Sequence, residues 1–136
     1  MKSRDYVLVY KSESEIKNIT LKQNLLNKID IGTGGIIVTS TGSKSDFVSR
    51  YFTPNSSIIE DPVTGSAHCS LIPYWSEVLN KKKMIAIQLS KRRGELICED
   101  KNERVLIGGK AKIYLKGRIW ILSLIHISEP TRPLII

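Results

Sequence analysis

The sequence predicts an α+β domain in which a small mixed β barrel or sheet is wrapped around one central helix. Three observations lead there. Short alternating or β-branched runs recur along the chain, with Gly94, the Gly108–Gly109 pair and Gly117 marking turns between the later ones. Residues 65–79 carry a helical apolar pattern that runs most of the way round, as in a helix buried on most sides. A length of 136 residues, 41% hydrophobic and 25% charged, suits one soluble domain with one core and is too short for two.

In chain order, residues 5–10 (DYVLVY) alternate and read as a strand. Ser12 followed by Glu15 has the capping-box spacing and announces a helix. Ile16, Ile19, Leu21, Leu25, Leu26 and Ile29 continue its period, with an irregularity near Thr20, until Gly32, Gly34 and Gly35 end it. Residues 36–41 (IIVTST) and 47–52 (FVSRYF) are the next strands, and a loop over 53–64 holds Pro54 and Pro62. The helix over 65–79 should be kinked or divided by Pro73, which lacks a backbone donor. Short strands follow at 84–90, 96–99, 104–107, 110–115 and 118–121.

The formal charge of +8 raises nucleic-acid binding as a possibility. The basic residues are scattered apart from 81–83 and 91–93, and the aromatic residues (7%) are not interleaved with those runs as a base-stacking platform requires. A solvated basic surface is the reading, with no nucleic-acid partner. No run is long and apolar enough to span a bilayer, and residues 1–11 lack the form of a signal peptide. Cys69 and Cys98 have neither metal spacing nor a disulfide framework, and are read as two buried free thiols in a reducing cytoplasm. Gly32-Thr-Gly-Gly lacks the spacing of a phosphate-binding loop, and no His/Cys/carboxylate cluster suggests a metal, so no cofactor is expected.

The segment with most chemistry is 60–69 (EDPVTGSAHC). Pro62 keeps Asp61 extended just before a helix start, and Thr64 or Ser66 can cap that helix. Gly65 removes a β-carbon that would keep a ligand off the backbone. The amides after it, with the helix dipole, make a small anion site. A carboxylate on Gly65 and Ser66 would bring the neighbouring carbon within reach of Asp61, the arrangement that proton transfer next to a carboxylate needs. By itself an aspartate before proline is a turn former. Glu60 is read as a surface or structural carboxylate, His68 as a packed or capping histidine, Cys69 as an inert thiol inside the helix, and Arg50 as structural.

Residues 46–54 (DFVSRYFTP), 60–69 with Tyr74 and Trp75 after them, and 88–96 (QLSKRRGEL) together resemble the PhzF-like family of phenazine-biosynthesis isomerases. The resemblance runs from about Asp5 to about Ile121. Arg93 departs from it, standing where the family usually has the first glycine of an Arg-Gly-Gly turn. It implies one half of a diaminopimelate epimerase-like fold of two pseudo-symmetric halves, with substrate in the cleft between them. Residues 1–121 would be the C-terminal domain, and Met1 an internal methionine. The resemblance makes Asp61 the catalytic and substrate-contacting carboxylate, with Gly65 and Ser66 binding substrate. The family's acid/base glutamate lies in the other half, so this half alone would be inactive.

The implied function is half of a cofactor-independent cytoplasmic isomerase that moves a proton on a small carboxylate-bearing metabolite. The family's best-known substrate is a dihydro-hydroxyanthranilate. The alternative is a non-catalytic binding or interaction domain of the same fold, and a homodimer of this half is a third possibility. If a second half is missing, an apolar or shallow concave patch should flank residues 61–66. Residues 122–132 (LSLIHISEPTR) resemble a translated sequencing adapter, so 122–136 are read as an artefactual tail that adds no strand to the sheet and packs poorly, and His126 is set aside.

Overall fold

The computed structural model of the chain describes residues 5–54, 56–120 and the backbone of 134–135. Its two most buried strands are covered on both faces. These are β2 (Ile36–Thr41) and β3 (Phe47–Phe52), paired antiparallel at the centre of a mixed sheet. The sheet order is β1-β2-β3-β5-β6-β7, with β1 (Tyr6–Val9), β5 (Lys83–Gln88), β6 (Gly94–Asp100) and β7 (Val105–Gly108). The β1–β2 and β3–β5 ladders are parallel and the others antiparallel. A two-residue strand inside the expected loop, β4 (Glu60–Asp61), pairs with Tyr51 and Phe52.

Alternation along the central strands divides the core in two. Ile37, Phe47, Tyr51, Met84, Ala86, Leu96 and Cys98 pack against the long helix α3 (Gly65–Val78). Ile36, Val38, Val48 and Phe52 pack against Ile16 and Leu26 of two short helices, α1 (Glu13–Lys17) and α2 (Gln23–Leu26). The capping box at Ser12 and Glu15 forms as expected. The single helix expected over 16–29 does not. The carbonyls of Ile16 and Ile19, which a continuous helix would spend four residues on, accept instead from Arg50 Nη1, each at 3.1 Å.

α3 runs unbroken through Pro73, which lies at an exposed position. It buries Ala67, His68, Leu71, Ile72, Trp75 and Ser76, while Gly65, Ser66, Cys69, Tyr74, Glu77 and Val78 are exposed. The expectation of a helix covered on most sides is corrected to that extent, because the buried positions fall along one face of the helix. The same geometry corrects Cys69. It falls on the outward face and is exposed, whereas Cys98 is buried and desolvation pushes its thiol up to about 11.

Residues 110–115 have strand composition but join no ladder. Ile113, Tyr114 and Leu115 are 90%, 101% and 82% exposed, and β propensity without a neighbouring edge does not make a strand. Downstream, β8 (Arg118–Ile119) pairs antiparallel with β9 (Leu134–Ile135), apart from the main sheet. Among the described residues the tail adds no strand to the main sheet, as expected. Residues 122–132 lie outside the described residues, His126 among them. No helix among the described residues is long and apolar enough to cross a membrane.

Within the 81–83 run, Lys81 pairs with Asp46 at 2.6 Å and Lys82 with Asp100 at 2.9 Å. Both lysines are more than half exposed, so such pairs contribute little to stability. At the β5–β6 turn, Arg93 takes a positive φ of 56°. Such a conformation costs a non-glycine residue roughly 1–2 kcal/mol, which is the physical content of its departure from the family pattern.

Candidate active site

Asp61 ends β4, one residue before Pro62, and its backbone is fixed by pairing with Tyr51. The neighbouring Glu60 is turned to a different task. Its carboxylate takes Arg50 Nε and Nη2 at 2.7 and 3.0 Å, in the two-pronged geometry that suits a guanidinium. Since Arg50 also binds the α1-side carbonyls and lies 4.9 Å over the Phe52 ring, the structural readings of Arg50 and Glu60 both hold.

Asp61 is half-buried and its Oδ2 accepts from Thr64 Oγ1 at 2.6 Å. Thr64 is the N-cap of α3, yet its side chain makes no bond to the helix amides. The expected side-chain cap is therefore absent at Thr64, because its hydroxyl is spent on Asp61. Gly65 and Ser66 follow as exposed residues at the helix start, and a β-carbon at Gly65 would meet no atom within 4 Å. The structure thus brings Asp61, Gly65 and Ser66 to one helix N-terminus. Ile58, Ile59 and Val63 are exposed close by in sequence.

His68 is fully buried. Its Nδ1 lies 2.8 Å from the Thr64 carbonyl, which can only accept, so Nδ1 carries the proton. Nε2 is buried without a hydrogen-bond partner among the described residues, beside the Phe47 ring at 5.9 Å. Desolvation lowers the pKa of His68 from 6.5, more than the Thr64 bond raises it. A neutral packed histidine is what these contacts make. The sign of the resulting pH dependence follows. Below 6.5 the unfolded chain takes up a proton that the folded chain resists, so stability falls as pH falls. Thermal unfolding should show a midpoint declining from about pH 6.5 towards pH 5, and His68→Gln should flatten that slope. An unchanged slope in the variant would assign it elsewhere.

Gln88 and Ser90, which no local pattern marked, and the turn glycine Gly94 hold the loop from the β5–β6 hairpin. Gln88 bonds Thr64 and Asp61, Ser90 Oγ donates to the Pro62 carbonyl at 2.8 Å, and Gly94 lies against Val63. A β-carbon at Gly94 would run into Val63 Cγ2, too close without a shift. All three belong to residues 88–96, so the sequence signal existed as a motif with no assigned role. Among the described residues no group of three or more His, Cys, Asp or Glu is arranged to hold a metal. A shallow depression lined by Ser76, Asn80, Lys82 and Asp100 lies towards the opposite end of α3 and shares none of these residues.

The sequence profile of the phenazine biosynthesis-like proteins matches residues 2–117. An uncharacterized isomerase of Pseudomonas aeruginosa is 41% identical over 119 residues, covering 88% of this chain and 45% of that protein. An uncharacterized isomerase of Halalkalibacterium halodurans is 45% identical over 117 residues, covering 85% of this chain and 43% of that protein. The crystal structure of a PhzC/PhzF protein of Clostridium difficile superposes with a TM-score of 0.77 at 50% identity, covering 88% of this chain and 46% of the other. A PhzF-family structure from Enterococcus faecalis has the same TM-score at 47% identity, covering 88% and 45%. The chain spans less than half the length of each of these relatives.

Proposed function

The chain belongs to the phenazine biosynthesis-like (PhzF) family of isomerase-type proteins, and from that we propose that it supplies one half of a cofactor-independent isomerase site. In this reading Asp61 exchanges or stabilises a proton on a small metabolite whose carboxylate rests on Gly65 and Ser66. One observation carries it. Thr64, the residue placed to cap α3, gives its hydroxyl to Asp61 instead, so a poised carboxylate sits beside helix amides with no side-chain cap. Oriented amides and the helix dipole favour an anion there. A carboxylate held at that point sets its adjacent carbon near Asp61, and fixed orientation is what lowers the barrier to proton transfer.

The reading assigns the complementary acid/base group to the remaining half of a full-length polypeptide. The exposed Ile58 and Val63 beside Asp61, and the short span of this chain against its relatives, support that division. Amide NMR with 3-hydroxyanthranilate as probe tests the anion site directly. Saturable shifts are expected at Gly65, Ser66 and Ala67, and Ser66→Ala should weaken binding about three- to tenfold, as loss of one neutral hydrogen bond does. Shifts confined to other residues, or none, would refute the assignment.

A further inference from the structure

Gln88 is fully buried, and among the described residues its side chain hydrogen-bonds only the Asp61–Thr64 loop. Its Oε1 accepts from the Thr64 amide at 2.8 Å. Its Nε2 donates to the Asp61 carbonyl at 2.7 Å and to Thr64 Oγ1 at 3.1 Å. A primary amide has one acceptor oxygen and two N–H donors, and all three find partners within four residues. The bond to Thr64 Oγ1 has a directional consequence. The hydroxyl accepts from Gln88 and gives its single proton to the carboxylate oxygen Asp61 Oδ2 at 2.6 Å, and the two bonds together fix where it points.

Threonine at an N-cap ordinarily turns its oxygen to the second or third amide of the helix, here Ser66 or Ala67. With Thr64 Oγ1 held between Gln88 and Asp61, that bond is not made. We propose that Gln88 is a positioning residue that diverts the Thr64 hydroxyl from the helix to Asp61, leaving the Ser66 and Ala67 amides open to a substrate carboxylate. The inference rests on the functional reading above for its ligand, but the diversion itself is independent of any ligand. Its position follows from the sheet. Gln88 pairs in register with Ser49 and shares a strand face with Met84 and Ala86, so it reaches the loop from beneath the start of α3.

The test uses Gln88→Met, which keeps volume and removes every bond, and Thr64→Val, which removes only the hydroxyl. In Gln88→Met the freed hydroxyl should cap α3. Without ligand, the Ser66 and Ala67 amide protons should then move downfield. Binding of 3-hydroxyanthranilate should weaken about two- to thirtyfold, the span of an N-cap bond that the ligand must displace. The double variant should bind as tightly as Thr64→Val alone, a rescue that simple loosening of the loop would not produce. Should Gln88→Met fail to fold, Gln88→Leu also removes every bond at similar volume and should give the same signature.

Wild-type amide shifts in a folded Gln88 variant, or a double variant that stays weak, would overturn the diversion. If the wild-type chain does not bind 3-hydroxyanthranilate, the functional reading fails. The unliganded amide shifts then decide the role of Gln88 on their own.

Discussion

Asp61→Asn, in a full-length polypeptide containing this half, is expected to lower turnover about 10²–10⁴-fold, the usual worth of a positioned acid/base group. The amide is isosteric and can still accept from Thr64 Oγ1, which now lies 2.6 Å from Oδ2. The loop and the Gln88 bonds to its backbone should therefore survive. What the substitution removes is the charge and the exchangeable proton. KM should change little, because the substitution leaves the Gly65 and Ser66 anchor intact. Steady-state kinetics on any carboxylate the full-length protein turns over provides the check. Near-normal turnover would make Asp61 a turn residue and end the catalytic reading of this half. The 136-residue chain alone is expected to show no turnover, since the reading assigns its acid/base partner elsewhere.

Trp75→Ala is expected to cost about 3–5 kcal/mol of folding stability, as truncation of a buried tryptophan does. Trp75 is 3% exposed at the centre of the α3-side core, stacked on Phe47 at 5.8 Å and edge-on to Tyr74 at 5.1 Å. Its Nε1 donates to Thr39 Oγ1 at 2.9 Å, and that hydroxyl donates onward to the Val48 carbonyl at 2.7 Å. Trp75→Phe should keep most of the packing and lose mainly the hydrogen bond, about 0.5–1.5 kcal/mol. Denaturant unfolding of the three proteins measures the difference. A loss for Trp75→Ala within about 0.5 kcal/mol, the range of surface substitutions, would mean α3 is not seated on the sheet as described.

Much of this was legible in the sequence because it is local. The β-branched run 36–41 and the aromatic-rich run 47–52 became β2 and β3 with those bounds, since residues buried on both faces need no polar alternation. The Ser12–Glu15 capping box formed because its bonds span three residues. The 60–69 segment pointed to Asp61, Gly65 and Ser66, and they do meet at one helix start. Family membership rested on the same short motifs.

Other features depended on which distant residues the sheet brings together. The helical period at 16–29 could not announce that Arg50, more than thirty residues on, would take the carbonyls of Ile16 and Ile19. The pattern at 65–79 gave α3 its apolar content but not the side from which strands would approach, so Cys69 was read as buried and is exposed. Residues 110–115 have the composition of a strand, but a strand exists only where an edge is offered. Thr64 was read as a cap because N-caps are recognised from the helix alone. Its hydroxyl goes to Asp61 beside Gln88, 24 residues away on β5. Composition and periodicity determined the elements, and short motifs the family. The parallel pairing of β3 with β5 decided what the Thr64 hydroxyl does, because a hydroxyl follows its nearest well-placed partner and only the assembled sheet supplies one.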